Sequence, residues 1–147
     1  MHNHRGHTLR KGRHSEAGRT YAVTTVTHDR QAFFTDWRTG RIVVHEMAQA
    51  HAKTLAFVVM PDHVHWLLEL HTTTLERLMQ TVKSRSAIAV NKRLQQTGPV
   101  WQRGFYDHAL RKEEDLAAIA RYIVANPLRA GLVKKLGDYP LWDAIWL

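Results

Sequence analysis

Apolar positions recur along the chain with two different periods, one typical of strands and one typical of helices. Segment 21–27 is rich in β-branched residues and predicts a first strand. The continuous apolar run 55–60 predicts a central strand that is covered on both faces. A Pro-Asp turn then leads into a third strand over 63–70, and a fourth strand is predicted over 105–111.

Helical periodicity appears in three stretches between and after these strands. The first helix is capped by Thr35 or Asp36 and runs to about residue 53. The second covers about 75–96 behind a sequence with capping-box spacing. The third follows a group of acidic residues, covers about 116–126 and is ended by Pro127.

The predicted order is β-α-β-β-α-β, followed by a helix and an apolar tail. This order is typical of a ferredoxin-like or RRM-like split β-α-β fold, in the α+β class. We therefore predict an antiparallel sheet with helices packed mainly on one face and an extra C-terminal helix. The 147 residues fit a single domain, 1–147, with a basic N-terminal arm over 1–19 and a tail over 134–147.

Composition narrows the class of partner. The formal net charge is +8 with histidine counted as neutral, which favours a polyanion such as nucleic acid over an anionic membrane. No apolar run reaches the roughly 18 residues of a spanning helix, and no apolar signal-peptide core is present, so a cytoplasmic protein is expected.

Because the chain has no cysteine, a metal would have to be held by histidine, carboxylate or amide oxygen.

The candidate chemistry lies on the third strand and the last long helix. His63 and His65 are two apart on a strand, so both imidazoles leave the same face. Tyr122 and Asn126 are one helical turn apart, on the edge of the apolar stripe of their helix. If that helix covers the histidine face, two imidazoles, an amide oxygen and a phenol converge.

Such a set suits transesterification at a DNA phosphate. His63, His65 and Asn126 could hold one Mg²⁺ or Mn²⁺, and Tyr122 would be the nucleophile. A free phenol has a pKa near 10 and therefore needs help to lose its proton. Asp62 and His108 are both candidates for that help, and the residues alone do not choose between them.

Two other functions remain open from these residues. The same fold class includes RNA-recognition domains that bind nucleic acid without chemistry, which would make this a hairpin-binding protein. A His-based phosphodiesterase is the second alternative, although Leu67 occupies the place of a third histidine. A cleavage assay on single-stranded hairpin DNA would separate these functions from transesterification.

Three blocks of the sequence resemble the REP-associated tyrosine transposases, a branch of the single-tyrosine HUH transposases. The HUH motif is His, a bulky hydrophobe and His, and it matches within 59–67. The companion blocks match at 101–108 and 121–133, and segments 9–15 and 138–143 also fit. The resemblance therefore spans nearly the whole chain.

The resemblance implies a metal-binding pair at His63 and His65, a nucleophile at Tyr122 and a third ligand at Asn126, where some relatives have Gln. Members of the branch are bacterial transposases with endonuclease activity. They cut single-stranded DNA beside imperfect palindromic hairpins, the repetitive extragenic palindromes (REPs). The cut leaves a 5′-phosphotyrosine. We expect this protein to be a monomer or a homodimer and to act at the nucleoid.

Eight cations are predicted to hold the DNA. Backbone contacts are expected from the basic arm and the second helix, and contacts to the cleaved strand from two arginines near the chemical motifs. The cations are Arg10, Lys11, Arg13 and Arg19 of the arm, Lys83 and Arg85 of the helix, and Arg103 and Arg129 near the motifs.

Overall fold

A five-stranded antiparallel sheet forms the centre of the computed structural model, which describes residues 15–146. The strands in chain order are β1 (Thr20–Val26), β2 (Ala52–Met60), β3 (His63–Leu70), β4 (Tyr106–Ala109) and β5 (Trp142–Ala144). They are arranged in the order β4-β1-β3-β2-β5. The predicted α+β class and antiparallel sheet are confirmed.

Four α-helices complete the described part of the fold, and three of them begin at a side-chain cap. The helices are α1 (Trp37–Ala48), α2 (Leu75–Leu94), α3 (Leu116–Val124) and α4 (Asn126–Arg129). Asp36, Thr74 and Asp115 each accept a hydrogen bond from a backbone N–H in the first turn of the helix that follows. Such caps satisfy N–H groups that have no partner within the helix. None of these helices has the length and apolar character needed to cross a membrane.

The helices lie on both faces of the sheet and create two separate cores. On one face, α1 and α2 cover Val64, Trp66 and Leu68 of β3. On the other face, Ala120 and Ile123 of α3 pack against a cluster that includes residues of β2 and β3. The prediction of helices mainly on one face, with one extra helix, is therefore confirmed, and α3 covers the face that carries the histidines.

Several predicted boundaries are wrong, and sheet pairing explains the largest error. Helix α1 ends at Ala48 rather than near residue 53, because the backbone from Ala52 onward is already paired with β3. The predicted tail contains a strand, β5, that pairs with the outer edge of β2. The predicted arm is also partly docked, since the Ser15 hydroxyl accepts a hydrogen bond from the backbone of Leu75.

The last long helix does not simply stop at Pro127. After Ala125 the chain continues into the short helix α4, and Pro127 lies within its first turn. Proline is tolerated there because the first N–H groups of a helix have no intrahelical acceptor. This second segment brings Arg129 back toward the end of α3.

Candidate active site

His63 and His65 lie side by side on β3 and share one face of the sheet. The centroids of their rings are 4.9 Å apart, and the ring planes are nearly perpendicular at 83°. Strand β1 lies antiparallel beside them, with Val26 opposite His63 and Thr24 opposite His65. The rings are partly buried, so the sheet and its neighbours restrict their orientation.

Each imidazole is held through its Nδ1 atom. His63 Nδ1 lies 2.7 Å from Asp62 Oδ1, and His65 Nδ1 lies 2.9 Å from the Thr24 hydroxyl. When Nδ1 carries the proton and donates to these oxygens, the lone pair of the ring resides on Nε2. Partners of this kind orient histidine ligands in metal sites.

Asp62 is itself fixed from a second side. Arg30 Nε donates to Asp62 Oδ2 at 3.1 Å, while the other carboxylate oxygen faces His63. Burial raises the pKa of Asp62, but the hydrogen bonds and charges of His63 and Arg30 outweigh it and leave the pKa below its ordinary range. Asp29 and Arg30 both have left-handed backbone, with φ values of 53° and 51°, which is uncommon for residues other than glycine.

A cavity of about 450 Å³ joins the histidine face to the end of α3. His65, Tyr122, Asn126 and His108 all line it. Strand β4 contributes His108 because His108 lies opposite Ala22 of β1, on the same face as Thr24. The structure thus brings four of the predicted groups to one cavity, and His63 lies directly beside His65.

The Asn-Pro sequence at the end of α3 orients the amide of Asn126. Pro127 has no N–H to donate to the carbonyl of Ile123, four residues before it. Asn126 Nδ2 donates to that carbonyl at 2.7 Å. With the amide nitrogen directed at the backbone, the amide oxygen is the atom that could ligate a cation.

Tyr122 is 56% exposed, so the protein core does not hold its ring. The Arg129 guanidinium lies over the ring, with Cζ 3.9 Å from the ring centroid. Arg129 Nη1 also donates to the backbone carbonyl of Tyr122 at 2.7 Å. A cation from α4 therefore contacts both the phenol ring and the backbone of Tyr122.

Of the two candidate proton acceptors, His108 lines the cavity of Tyr122, whereas Asp62 is held by His63 and Arg30. His108 Nε2 lies 3.6 Å from Glu114 Oε1. A hydrogen bond from the backbone N–H of Arg111 and the neighbouring charge of His108 lower the pKa of Glu114, against a smaller opposing effect of burial. Asp62 thus contacts His63, and of these two candidates it is His108 that lines the cavity with Tyr122.

The donor set is one that could hold a divalent cation. Among residues 15–146, no three His, Asp or Glu side chains come close enough together to form a metal site by themselves. The candidate ligands are therefore two imidazoles, each oriented through Nδ1, and one amide oxygen. The amide oxygen suits Mg²⁺ or Mn²⁺, whereas imidazole nitrogen suits transition-metal cations, and three ligands leave coordination positions open.

The predicted DNA-binding cations are scattered over the structure. Arg10, Lys11 and Arg13 lie outside the described residues. Arg19 pairs with Glu16 at 3.2 Å, and Arg103 is exposed on the loop before β4. Arg85 lines a groove between α1 and α2, across the sheet from the histidines.

Lys83, which is predicted to contact the DNA backbone, is partly buried in the structure and contacts the protein backbone. Its Nζ donates to the carbonyls of Gln102 at 2.8 Å and Gly104 at 2.5 Å, and so anchors the loop that carries Arg103. Burial lowers the pKa of Lys83 to about 8. Lys83 of α2 thus makes a structural contact with the loop before β4.

Lys83 makes the stability of the protein depend on pH. Its pKa in the folded state is about 8 and its ordinary value is 10.5, so the unfolded chain holds the proton more tightly between these values. The free energy of unfolding should therefore rise with pH above 8, by about 1 kcal/mol up to pH 10 after allowance for partial exposure. Urea unfolding at pH 8 and pH 10 should show this rise and should lose it in Lys83→Met.

Lys92→Met is the matched control, because Lys92 is exposed on the same helix. It should leave the rise intact. The comparison stops at pH 10 because burial raises the pKa of Tyr139 to about 12. The free energy of unfolding should therefore fall again at higher pH. An equal pH dependence in both lysine variants would contradict the assignment to Lys83.

The fold and the site together define a class of protein in which a strand carries a His-x-His pair and a helix places a single tyrosine beside it. A model of the family "Transposase IS200 like" matches residues 17–126, which include the histidine pair, Tyr122 and Asn126. The chain belongs to the IS200-like transposase family.

Curated relatives lie in one branch. A candidate REP-associated tyrosine transposase of Haemophilus influenzae is 27% identical over 137 residues, covering 84% of this chain and 78% of that protein. A REP-associated tyrosine transposase of Escherichia coli K12 is 30% identical over 87 residues, covering 58% of this chain and 50% of that protein. The predicted resemblance to this branch is confirmed.

Solved structures show the same fold. A REP-associated tyrosine transposase bound to a REP hairpin superposes with a TM-score of 0.73 at 23% identity, covering 92% of this chain and 82% of that chain. A candidate transposase from Deinococcus radiodurans gives a TM-score of 0.54 at 22% identity, covering 78% of this chain and 95% of that chain.

The site also contains residues that sequence reasoning missed. Thr24 orients His65, Arg30 holds Asp62, and Glu114 faces His108. Thr24 could have been found from the register of β1 against β3, since it lies directly opposite His65. No sequence signal pointed to Arg30, because its position depends on a left-handed turn.

Proposed function

We propose that this protein is a metal-dependent DNA strand transferase that cuts and rejoins single-stranded DNA beside imperfect palindromic hairpins through Tyr122. The observation that carries the proposal is the cavity shared by Tyr122, Asn126 and His65, with His63 beside it. Membership of a transposase family supports the reaction class. The similar protein bound to a REP hairpin supports the kind of substrate.

His63 and His65 would hold the metal through Nε2, and the amide oxygen of Asn126 would complete the set. Asp62 and Thr24 keep the two rings in the required orientation. A Mg²⁺ or Mn²⁺ held there would stabilise negative charge on the phosphate oxygens. Ile119 and Ile123 form an apolar part of the cavity wall.

Tyr122 would attack the scissile phosphorus with its hydroxyl oxygen. A new P–O bond forms to the tyrosine, the P–O3′ bond breaks, and the leaving 3′-oxygen takes a proton from solvent, so the products are a 5′-phosphotyrosine and a free 3′-hydroxyl. We assign the phenol proton to His108, which lines the same cavity. Rejoining is the reverse reaction with a 3′-hydroxyl as the nucleophile. Since chromosomal hairpins would be the substrate, the protein would act at the nucleoid in the bacterial cytoplasm.

The test is a covalent adduct with DNA. A single-stranded oligonucleotide with an imperfect hairpin and unpaired flanks is incubated with the protein and Mg²⁺ or Mn²⁺, and the products are separated under denaturing conditions. A protein–DNA adduct that requires the metal and is blocked by EDTA is the expected result. Tight binding without an adduct would instead favour a hairpin-binding protein, and multiple-turnover hydrolysis without an adduct would favour a phosphodiesterase.

Tyr122 and His65 line one cavity of a single chain, so we propose that the tyrosine acts at the metal site of its own subunit. A mixture of Tyr122→Phe and His63→Ala/His65→Ala proteins should then form no more adduct than either protein alone. The measurement is adduct yield at equal total protein. Restored adduct in the mixture would show that the tyrosine and the histidines come from different subunits.

A further inference from the structure

Arg129 makes two contacts with Tyr122 from a position seven residues further along the chain. Its guanidinium lies over the phenol ring, with Cζ 3.9 Å from the ring centroid, and its Nη1 donates to the Tyr122 carbonyl at 2.7 Å. That carbonyl lies in the last turn of α3, where acceptors lack partners within the helix. One side chain thus satisfies the end of the helix and covers the ring of the proposed nucleophile.

We propose that Arg129 is a positioning residue that holds the Tyr122 ring in its orientation at the cavity. Because the ring is 56% exposed, its rotamer is not set by the core, and stacking on a fixed guanidinium restricts it instead. The contact depends on the Asn-Pro turn, since α4 carries Arg129 back over α3. This inference rests on the proposed function for its catalytic consequence but not for the contact itself.

The geometry requires arginine rather than any cation. A planar guanidinium can stack on a ring and donate a hydrogen bond in its own plane at the same time, whereas a lysine ammonium is a point charge without a stacking face. A residue that only gripped a DNA phosphate would tolerate lysine much better. Arg129→Lys therefore distinguishes the two roles, and Arg129→Met removes both.

The first measurement does not need catalysis. The chain has four tyrosines, so protein labelled with ¹³C in the tyrosine rings gives few signals, and Tyr122→Phe identifies the signal of Tyr122. Arg129→Met and Arg129→Lys should both move that signal, because the stacked guanidinium is lost. Arg121→Met is the control, since Arg121 is an exposed arginine next to Tyr122 on α3. It should leave the Tyr122 signal in place.

The second measurement separates positioning from DNA binding. At saturating hairpin DNA, both Arg129 variants should form the adduct roughly 10- to 100-fold more slowly in a single turnover, since a misplaced nucleophile loses rate. Their Kd for the DNA should change less than about threefold. Thermal unfolding of each variant is compared with the wild type to exclude a folding defect.

Two outcomes would overturn the proposal. One is an unmoved Tyr122 signal in Arg129→Met. The other is a large rise in Kd that Arg129→Lys restores together with the rate, which would make Arg129 a phosphate contact. If the wild type forms no adduct, the proposed function fails, and the ring signal alone still decides whether Arg129 holds Tyr122.

Discussion

Tyr122→Phe should eliminate the covalent protein–DNA adduct and reduce strand cleavage at least about 10³-fold, because the substitution removes only the oxygen of the proposed nucleophile. The aromatic ring remains, so the stack under Arg129 and the lining of the cavity are preserved. Hairpin affinity should therefore stay within about threefold of the wild type. Denaturing gels of metal-containing reactions measure the adduct, and a binding titration measures the affinity.

Tyr106→Phe is the matched control. Tyr106 is the second tyrosine that lines the cavity, and it lies on β4 directly opposite Thr24. The same loss of one hydroxyl at this position should leave the adduct in place. An adduct that survives in Tyr122→Phe but disappears in Tyr106→Phe would transfer the nucleophilic role to Tyr106. An adduct that survives both changes would exclude a tyrosine of this cavity as the nucleophile.

Most of the sheet could be predicted from the sequence because its strands carry strong local signals. Segment 55–60 is continuously apolar, and the alternation over 63–66 puts Trp66 in the core under α1 and α2 and the two histidines on the face that α3 covers. Strand β5 could not be predicted, because Trp142–Ala144 is too short to show a period. It forms because the outer edge of β2 offers unpaired backbone groups, which is a property of the folded sheet.

The site was predictable only as separate pieces. Helical spacing puts Tyr122 and Asn126 on one edge of α3, but the face of the sheet that this helix covers is decided by packing. Charge on the second helix suggested that Lys83 binds DNA, and charge near the chemical motifs suggested the same of Arg129. In the structure Lys83 binds two carbonyls of the loop before β4, and Arg129 covers the Tyr122 ring because the turn into α4 carries it there. Composition reveals neither contact.

His63→Ala/His65→Ala should remove the divalent-metal site and with it the adduct, although Tyr122 remains. Two of the three proposed ligands are lost, so the Kd for Mn²⁺ should rise by more than about 100-fold. Mn²⁺ binding is measured from the loss of the free-ion signal in electron paramagnetic resonance. This measurement reports on the site without any DNA. Hairpin binding in EDTA should change little, because neither imidazole would be needed for metal-free binding.

The matched control is His45→Ala/His71→Ala, which removes two exposed histidines outside the cavity. It corrects for weak binding of Mn²⁺ by surface imidazoles and should leave both the site and the adduct intact. Thr24→Val tests the orientation of His65 and should weaken Mn²⁺ binding by about 10-fold, since it keeps the ligand but removes its hydrogen-bond partner. If Mn²⁺ binding and adduct yield were the same in the His63/His65 variant as in the wild type, the pair would be a packing feature of β3, and the cation for cleavage would have to bind elsewhere.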